Sequence, residues 1–430
     1  AFPVPPYPTW IVDLARALDD EPIGVSAVGA ARGGGVAVVG SVCPIGGPVS
    51  CETMEPWLAL LEADGTLGAQ WRVVGAPDDR TGPAAITPRR EGGWVIGANG
   101  LGTDGIPRRT LLVAIDESGA TPWQWTVPGM LFSLASRPDG TFAACLGPAY
   151  PGAEGEPTVL EIDGGGTIVR QTRLDDDGLL SSCAPLTDGG LAAVIDAVQV
   201  DPAGRIRDQL VLLHLAADGR TAWRRENPDW AWERMSESAT SVLVAPMEAG
   251  ALIALATRGN RSIWGMFDPA GEPIRTTVLE VPGVSRLDLA RVTARAGGGL
   301  VLAGDFDLLE GWIAGVGADG SLDWQRGIDF RPGDHVDTVF RVTPTNDGGF
   351  AFAGSPFLSD GDWVAKFGAG GGFSGACPGL ICPDATLEPA EPFAGVVRAV
   401  VLEAGGLRPS VSSAATIPGP IVRAEIRCPE

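Results

Sequence analysis

A short phrase of paired glycines and small apolar residues returns seven times along the 430-residue chain. It reads GGGVAVVG at 33–40, GGWVIG at 92–97, DGTFAACLG at 139–147 and DGGLAAV at 188–194. It continues as AGALIALA at 249–256, GGGLVLAG at 297–304 and DGGFAFAG at 347–354. The interval is roughly 50 residues, the length of a unit that buries its apolar faces only against its neighbours. A second phrase follows: a strand, an Asp-Gly or Ser-Gly turn, and another strand. Examples are WLALLEADG at 57–65, LLVAIDESG at 111–119, VLLHLAADG at 211–219 and WIAGVGADG at 312–320. Such turns join antiparallel strands because glycine accepts positive φ.

Tryptophans keep step with this pattern. Trp57, Trp312 and Trp363 each stand eight residues before a turn glycine (Gly65, Gly320, Gly371). Trp71, Trp123, Trp223 and Trp324 follow the turn, most of them by four residues. Rings at fixed offsets suit the seams between repeated sheets. The expectation is therefore an all-β fold: a seven-bladed β-propeller of four-stranded antiparallel blades over residues 1–372. The chain begins out of phase, since TWIVDL at 9–14 matches the fourth strand of a blade. Residues 9–15 are expected to complete the last blade and so hide two open edges. After residue 372 the repeat stops, and 373–430 reads as a Cys/Pro-rich extension. Its apolar stretches 394–403 and 419–427 are expected to pack back on the propeller or form a small appendage.

Gly 61 and Pro 36 exclude a helical protein, and 45% apolar residues exclude disorder. The net charge of −22 argues against nucleic acid and anionic membranes as partners. No stretch approaches the ~20 apolar residues of a membrane span. The opening Ala1-Phe2-Pro3-Val4-Pro5 reads like a terminus left by signal cleavage. Seven cysteines agree with an oxidising compartment: Cys43 and Cys51 bracket one loop, Cys377 and Cys382 another, and Cys428 stands near the end. Disulfides are favoured over zinc, with Cys43–Cys51 as one bridge and Cys428 joined to Cys382 or Cys377. Cys145 and Cys183 either pair across blades or stay buried thiols, the latter favoured by their apolar surroundings. The predicted location is secreted, periplasmic or on the outer cell surface.

The segments VAIDESGATPW at 113–123 and VGADGSLDW at 316–324 carry a resemblance. They are similar to the repeats of exported bacterial seven-bladed propeller proteins of unknown function, and more distantly to quinoprotein-type propellers. The likeness covers about residues 9–370 and specifies a fold better than a function. Kinship with the quinoprotein enzymes would imply pyrroloquinoline quinone over calcium, beside a disulfide of adjacent cysteines. No two cysteines are adjacent here, so no cofactor is expected. The non-enzymatic relatives imply a scaffold with a protein partner in an envelope or extracellular assembly.

Residues suited to chemistry are sparse. Of the two histidines, His214 lies in the apolar run VLLHLAA and reads as structural, whereas His335 precedes an inner strand near the channel mouth. Asp288 with Arg291, and Asp337 with Arg341, recur on consecutive inner strands. They read as ion pairs around a wet channel or as an Arg clamp for a carboxylate or phosphate. Trp230 and Trp232 alternate on one strand and could form a stacking platform or cap a blade edge. Asp175, Asp176 and Asp177 read as a solvated turn, as do Asp305 and Asp307. No catalytic or metal-binding set emerges. The expected function is non-enzymatic binding or scaffolding. The alternative is an extracellular lyase or hydrolase acting on polysaccharide at the channel face.

Overall fold

The protein is seen in a computed structural model that describes residues 10–14, 23–42, 55–74, 80–102, 106–149, 156–174, 178–200, 206–233, 242–246, 252–258, 261–280, 287–295, 298–306, 310–318, 322–328, 337–356, 362–371, 380–381, 386–390, 396–397, 415–418 and 424–426. Among these residues all regular structure is β-strand, apart from one short 3-10 turn at Arg32–Gly34.

After β1 (Trp10–Leu14), the strands come in fours. The first four are β2 (Ile23–Ala30), β3 (Val36–Val42), β4 (Glu55–Leu61) and β5 (Leu67–Val74). Then come β6 (Arg80–Pro88), β7 (Trp94–Leu101), β8 (Pro107–Ile115) and β9 (Gln124–Pro128). The third set is β10 (Met130–Ser136), β11 (Phe142–Gly147), β12 (Thr158–Ile162) and β13 (Ile168–Arg173). The fourth is β14 (Gly178–Pro185), β15 (Leu191–Val200), β16 (Ile206–Leu215) and β17 (Thr221–Glu233). The fifth is β18 (Val242–Pro246), β19 (Leu252–Arg258), β20 (Arg261–Phe267) and β21 (Pro273–Glu280). Next are β22 (Leu287–Ala294), β23 (Leu300–Phe306), β24 (Glu310–Val316) and β25 (Leu322–Ile328). The last are β26 (Asp337–Pro344), β27 (Phe350–Pro356) and β28 (Asp362–Phe367), whose fourth member is β1, with Val12 opposite Val364. The N-terminal strand thus completes the final set, as its phase predicted.

The result is an all-β propeller with four-stranded antiparallel blades. The first strands β2, β6, β10, β14, β18, β22 and β26 each touch the next, and β26 returns to β2, so they close a ring. Counted by hydrogen bonding, however, there are six sheets rather than the expected seven. One parallel pair, Glu310 with Asp337, joins β22–β25 to β26–β28 and β1, and the two sets share a ten-stranded sheet. A single bridge between strands is invisible to any repeat pattern.

Second and third strands are pressed by neighbours on both faces, which is why they read as unbroken apolar runs rather than alternating ones. Val36, Ala37, Val38 and Val39 of β3 are fully buried, as are Leu112 and Ala114 of β8. The tryptophans occupy the seams as expected. Trp71 lies over the turn of the next blade, where a Cβ on Gly119 would fall 1.9 Å from the indole Nε1. Gly119 also has φ +84°, so glycine is required there twice over. Trp123, Trp223 and Trp324 cover Gly166, Gly271 and Gly371 in the same way. In the third blade Arg170 takes the indole's place over Gly219 and donates to Ala217 O at 2.7 Å.

The C-terminal segment supplies short fifth strands at the rim. These are β29 (Leu380–Ile381) on β25, β30 (Thr386–Ala390) on β21 and β31 (Val396–Val397) on β17. β32 (Ala415–Pro418) pairs with β5, and β33 (Ala424–Ile426) with β1. The segment packs back on the propeller, in shorter strands than the apolar stretches suggested. Three of them lie where no strand was expected: β29 and β30 in the Cys/Pro-rich linker, and β32 between the two apolar stretches.

Cys145 and Cys183 form a disulfide between β11 and β14, with Cα atoms 6.4 Å apart. This corrects the preference for buried thiols: both are buried, but across a seam and within reach of each other. Cys43, Cys51, Cys377, Cys382 and Cys428 lie outside the described residues.

Candidate binding site in the central channel

Six of the seven inner strands carry a β-bulge at one point. The register shifts between Val25 and Ala27, Pro83 and Ala85, Leu131 and Ser133, Leu180 and Ser182, Leu289 and Arg291, and Val339 and Arg341. A bulge leaves a backbone N–H without its ladder partner, and a buried N–H must be paired. At three of these bulges the preceding blade supplies the acceptor. Leu131 N donates to Asn99 Oδ1 at 2.8 Å, Val339 N to Asp305 Oδ1 at 2.7 Å, and Val25 N to Asp362 Oδ2. Asp305 is therefore a buried inter-blade fastener, not the solvated turn residue its sequence suggested.

The bulge also re-aims the side chain that follows it. Ala27, Ala85, Ser133, Ser182, Leu243, Arg291 and Arg341 each stand nine residues before the first residue of the second strand in their repeat. All seven line one cavity of about 390 Å³ along the ring axis. Thr293 and Thr343 line it too, as does Val342, which also packs against the blade core. Five of the seven equivalent positions are neutral. The two cations occupy adjacent strands.

Burial lowers the pKa of both guanidinium groups from the usual arginine value. Arg341, which also feels the positive charge of Arg291, is pushed down to about 9 and stays cationic at neutral pH. Arg291 Nη1 reaches Ala290 O at 3.4 Å. On the far arc Ser133 Oγ donates to Cys183 O at 3.0 Å.

Of the residues singled out from sequence, the structure brings Arg291 and Arg341 together. Asp288, the second residue of β22, lies opposite Asp305, and Asp337 opens β26 opposite Pro356; the side chains of both lie outside the described residues. Trp232 of β17 pairs with Asp208 of β16, and Trp230 lies two residues before it, again without described side chains. His335 and Asp175–Asp177 lie outside the described residues. His214 is buried edge-on against Trp223, with Nε2 3.0 Å from Asp188 Oδ2, in keeping with a structural role. Among the described residues no group of three His, Cys, Asp or Glu side chains is placed to hold a metal ion. Among them, too, no helix is long and apolar enough to cross a membrane.

Ser133 and Ser182 escaped the sequence reading because small polar residues are unremarkable singly. The signal was their constant nine-residue offset within the repeat.

No family pattern matches the chain, and no curated protein matches it. Solved structures of similar fold include a protein of unknown function from Bacteroides caccae, 10% identical, with TM-score 0.38 over 74% of this chain and 93% of that one. The Dos1 propeller is 9% identical, with TM-score 0.45 over 83% and 94%. The β-propeller domain of the Trilobed protease from Pyrococcus furiosus is 8% identical, with TM-score 0.43 over 82% and 94%.

Proposed function

We propose that this chain is an exported seven-bladed propeller that works by binding, presenting its loops to a protein partner in an envelope or extracellular assembly. The observation that carries the reading is the closed ring of seven inner strands, with buried side chains fastening one blade to the next. A disk braced in this way keeps loops at fixed mutual positions, as a scaffold requires. The count of seven treats the Glu310–Asp337 pair as a local bridge between two blades. The point where the repeat ends supports a propeller over 1–372 and an extension over 373–430. The Cys145–Cys183 bridge suits an oxidising compartment, and the charge of −22 favours neutral or basic partners.

The polysaccharide-acting alternative draws no support from the channel. Glycoside hydrolysis uses two carboxyl groups, and the described charges there are two guanidinium groups. The test is cross-linking and affinity isolation from the envelope fraction of the native host, with intact-mass and absorbance measurements on the purified chain. The expected result is one stoichiometric protein partner. A stoichiometric organic cofactor, or turnover of an extracellular polysaccharide, would overturn the reading.

A further inference from the structure

We propose that the central channel binds a small oxyanion, bearing phosphate or carboxylate, clasped between Arg291 and Arg341. This goes beyond the scaffold reading and stands even if no protein partner exists. Four observations lead to it. First, the fold offers seven equivalent channel positions, and the two cations fall on neighbouring strands at the same height rather than dispersed around the ring. Like charges set side by side in a confined space repel each other, and an anion between them relieves that repulsion.

Second, the chemistry of the pair is selective. A guanidinium presents a planar fork that matches the oxygens of phosphate and carboxylate, and two forks can hold one such group from two sides. Third, Thr293 and Thr343, two residues beyond the arginines on the same strands, line the same cavity and bring neutral hydroxyl-bearing side chains to it. Among the described lining residues the opposite arc, with Ala85 and Ser133, carries no charge, and both guanidinium groups stand on one side. Fourth, the cavity of about 390 Å³ falls at the small end of the ~300–1,000 Å³ typical of small-molecule sites. It suits a metabolite-sized anion and is too small for a folded partner.

The test is isothermal titration of the full chain with inorganic phosphate and, separately, with citrate, at ionic strength matched with chloride. One site per chain is expected, and the tighter of the two ligands identifies phosphate or carboxylate chemistry. Arg291→Gln and Arg341→Gln are each expected to weaken binding about ten- to a hundredfold. Arg32→Gln, in the exposed turn between β2 and β3 and outside the cavity lining, should leave it unchanged. A second readout avoids variants altogether: phenylglyoxal labelling of wild-type protein, mapped by peptide mass spectrometry, should spare Arg291 and Arg341 when the ligand is present. Failure of both anions to bind the folded wild type would overturn the proposal. So would binding that survives both glutamine variants, or labelling of the two arginines that the ligand does not slow.

Discussion

Two seams of the ring share an apolar core but differ in what is added to it. Between the third and fourth blades a covalent bond is added to an apolar core: Cys145 and Cys183 are bridged among Ala143, Val159, Leu180 and Ala193. Between the last strands and the first blade there is no disulfide among the described residues, and polar contacts join an apolar core in which Val36, Val38 and Trp57 meet Ala351, Ala353 and Val364. Lys366, the sole lysine of the chain, is fully buried, with Nζ 2.5 Å from Asp347 Oδ2 and 2.6 Å from Gly34 O. Asn346 Nδ2 donates to Ala31 O at 2.9 Å beside it, and Asp362 accepts from Val25 N. The partners at the covalent seam are 38 residues apart in sequence, whereas Lys366 and Gly34 are 332 apart. A local seam can form early and be locked. The closing seam can form only once both ends of the ring have met, and directional polar contacts fix the register at which they do so.

The comparison breaks most visibly at Asp347. Replacing it with Ala leaves the Lys366 ammonium buried without its carboxylate, which should cost about 3–5 kcal/mol. Chemical denaturation of the purified variant measures this, and a loss below 1 kcal/mol would show the pair to be incidental. The double variant Lys366→Met/Asp347→Ala should recover much of the loss, because the uncompensated charge is then gone. Next in size is the covalent seam. Cys145→Ala/Cys183→Ala opens a closed loop of roughly 38 residues and should cost about 2–4 kcal/mol. Dithiothreitol should then shift the unfolding midpoint of wild type but not of this variant. Equal shifts in both would mean that another disulfide controls stability.

How far these seams could be read in advance differs between them. Trp71 and Gly119, or Trp123 and Gly166, belong to one repeat phase, so their stacking follows from spacing alone. Lys366 sits in DWVAKF, which marks a strand but not a partner more than three hundred residues away. Cys145 and Cys183 lie in runs so apolar that buried free thiols were the favoured reading. Asp305 follows a small-residue pair in the manner of a loop carboxylate. Only the neighbouring blade's bulge, which leaves Val339 N unpaired, gives it a buried task. At the candidate site the arginine pair was legible, because long polar side chains on inner strands are conspicuous. The rest of that ring layer became visible only once the bulges aligned it.

Asp305 gives a third, smaller test, because it marks a seam with neither the disulfide nor the lysine. Asp305→Ala removes the acceptor for Val339 N and should cost about 1–3 kcal/mol. Asp305→Asn keeps an oxygen at the same place and should restore most of the stability. If the two variants are equally destabilised, charge rather than hydrogen bonding holds this seam.

The smallest expected effect is the response to acid, and it separates the two seams without a covalent change. Burial alone would raise the pKa of Asp347. The hydrogen bonds from Lys366 and Thr345, with the lysine charge, outweigh burial and hold it below the ordinary carboxylate value. A carboxyl depressed in the folded state contributes fully above its unfolded pKa, near 4, and loses that contribution as pH falls through its lowered folded value. Asp64, Asp116 and Asp139 are also depressed, mainly by hydrogen bonds from Thr66, Ser118 and Thr141, so wild type as a whole weakens in acid. The informative quantity is therefore the difference in unfolding midpoint between wild type and Asp347→Asn, in which the other carboxyls cancel. It should be largest at neutral pH and shrink steadily below about pH 4. The matching difference for the Cys145→Ala/Cys183→Ala variant should stay flat, since a disulfide does not titrate. A constant Asp347→Asn difference down to strong acid would mean that the carboxylate charge plays no part in closing the ring.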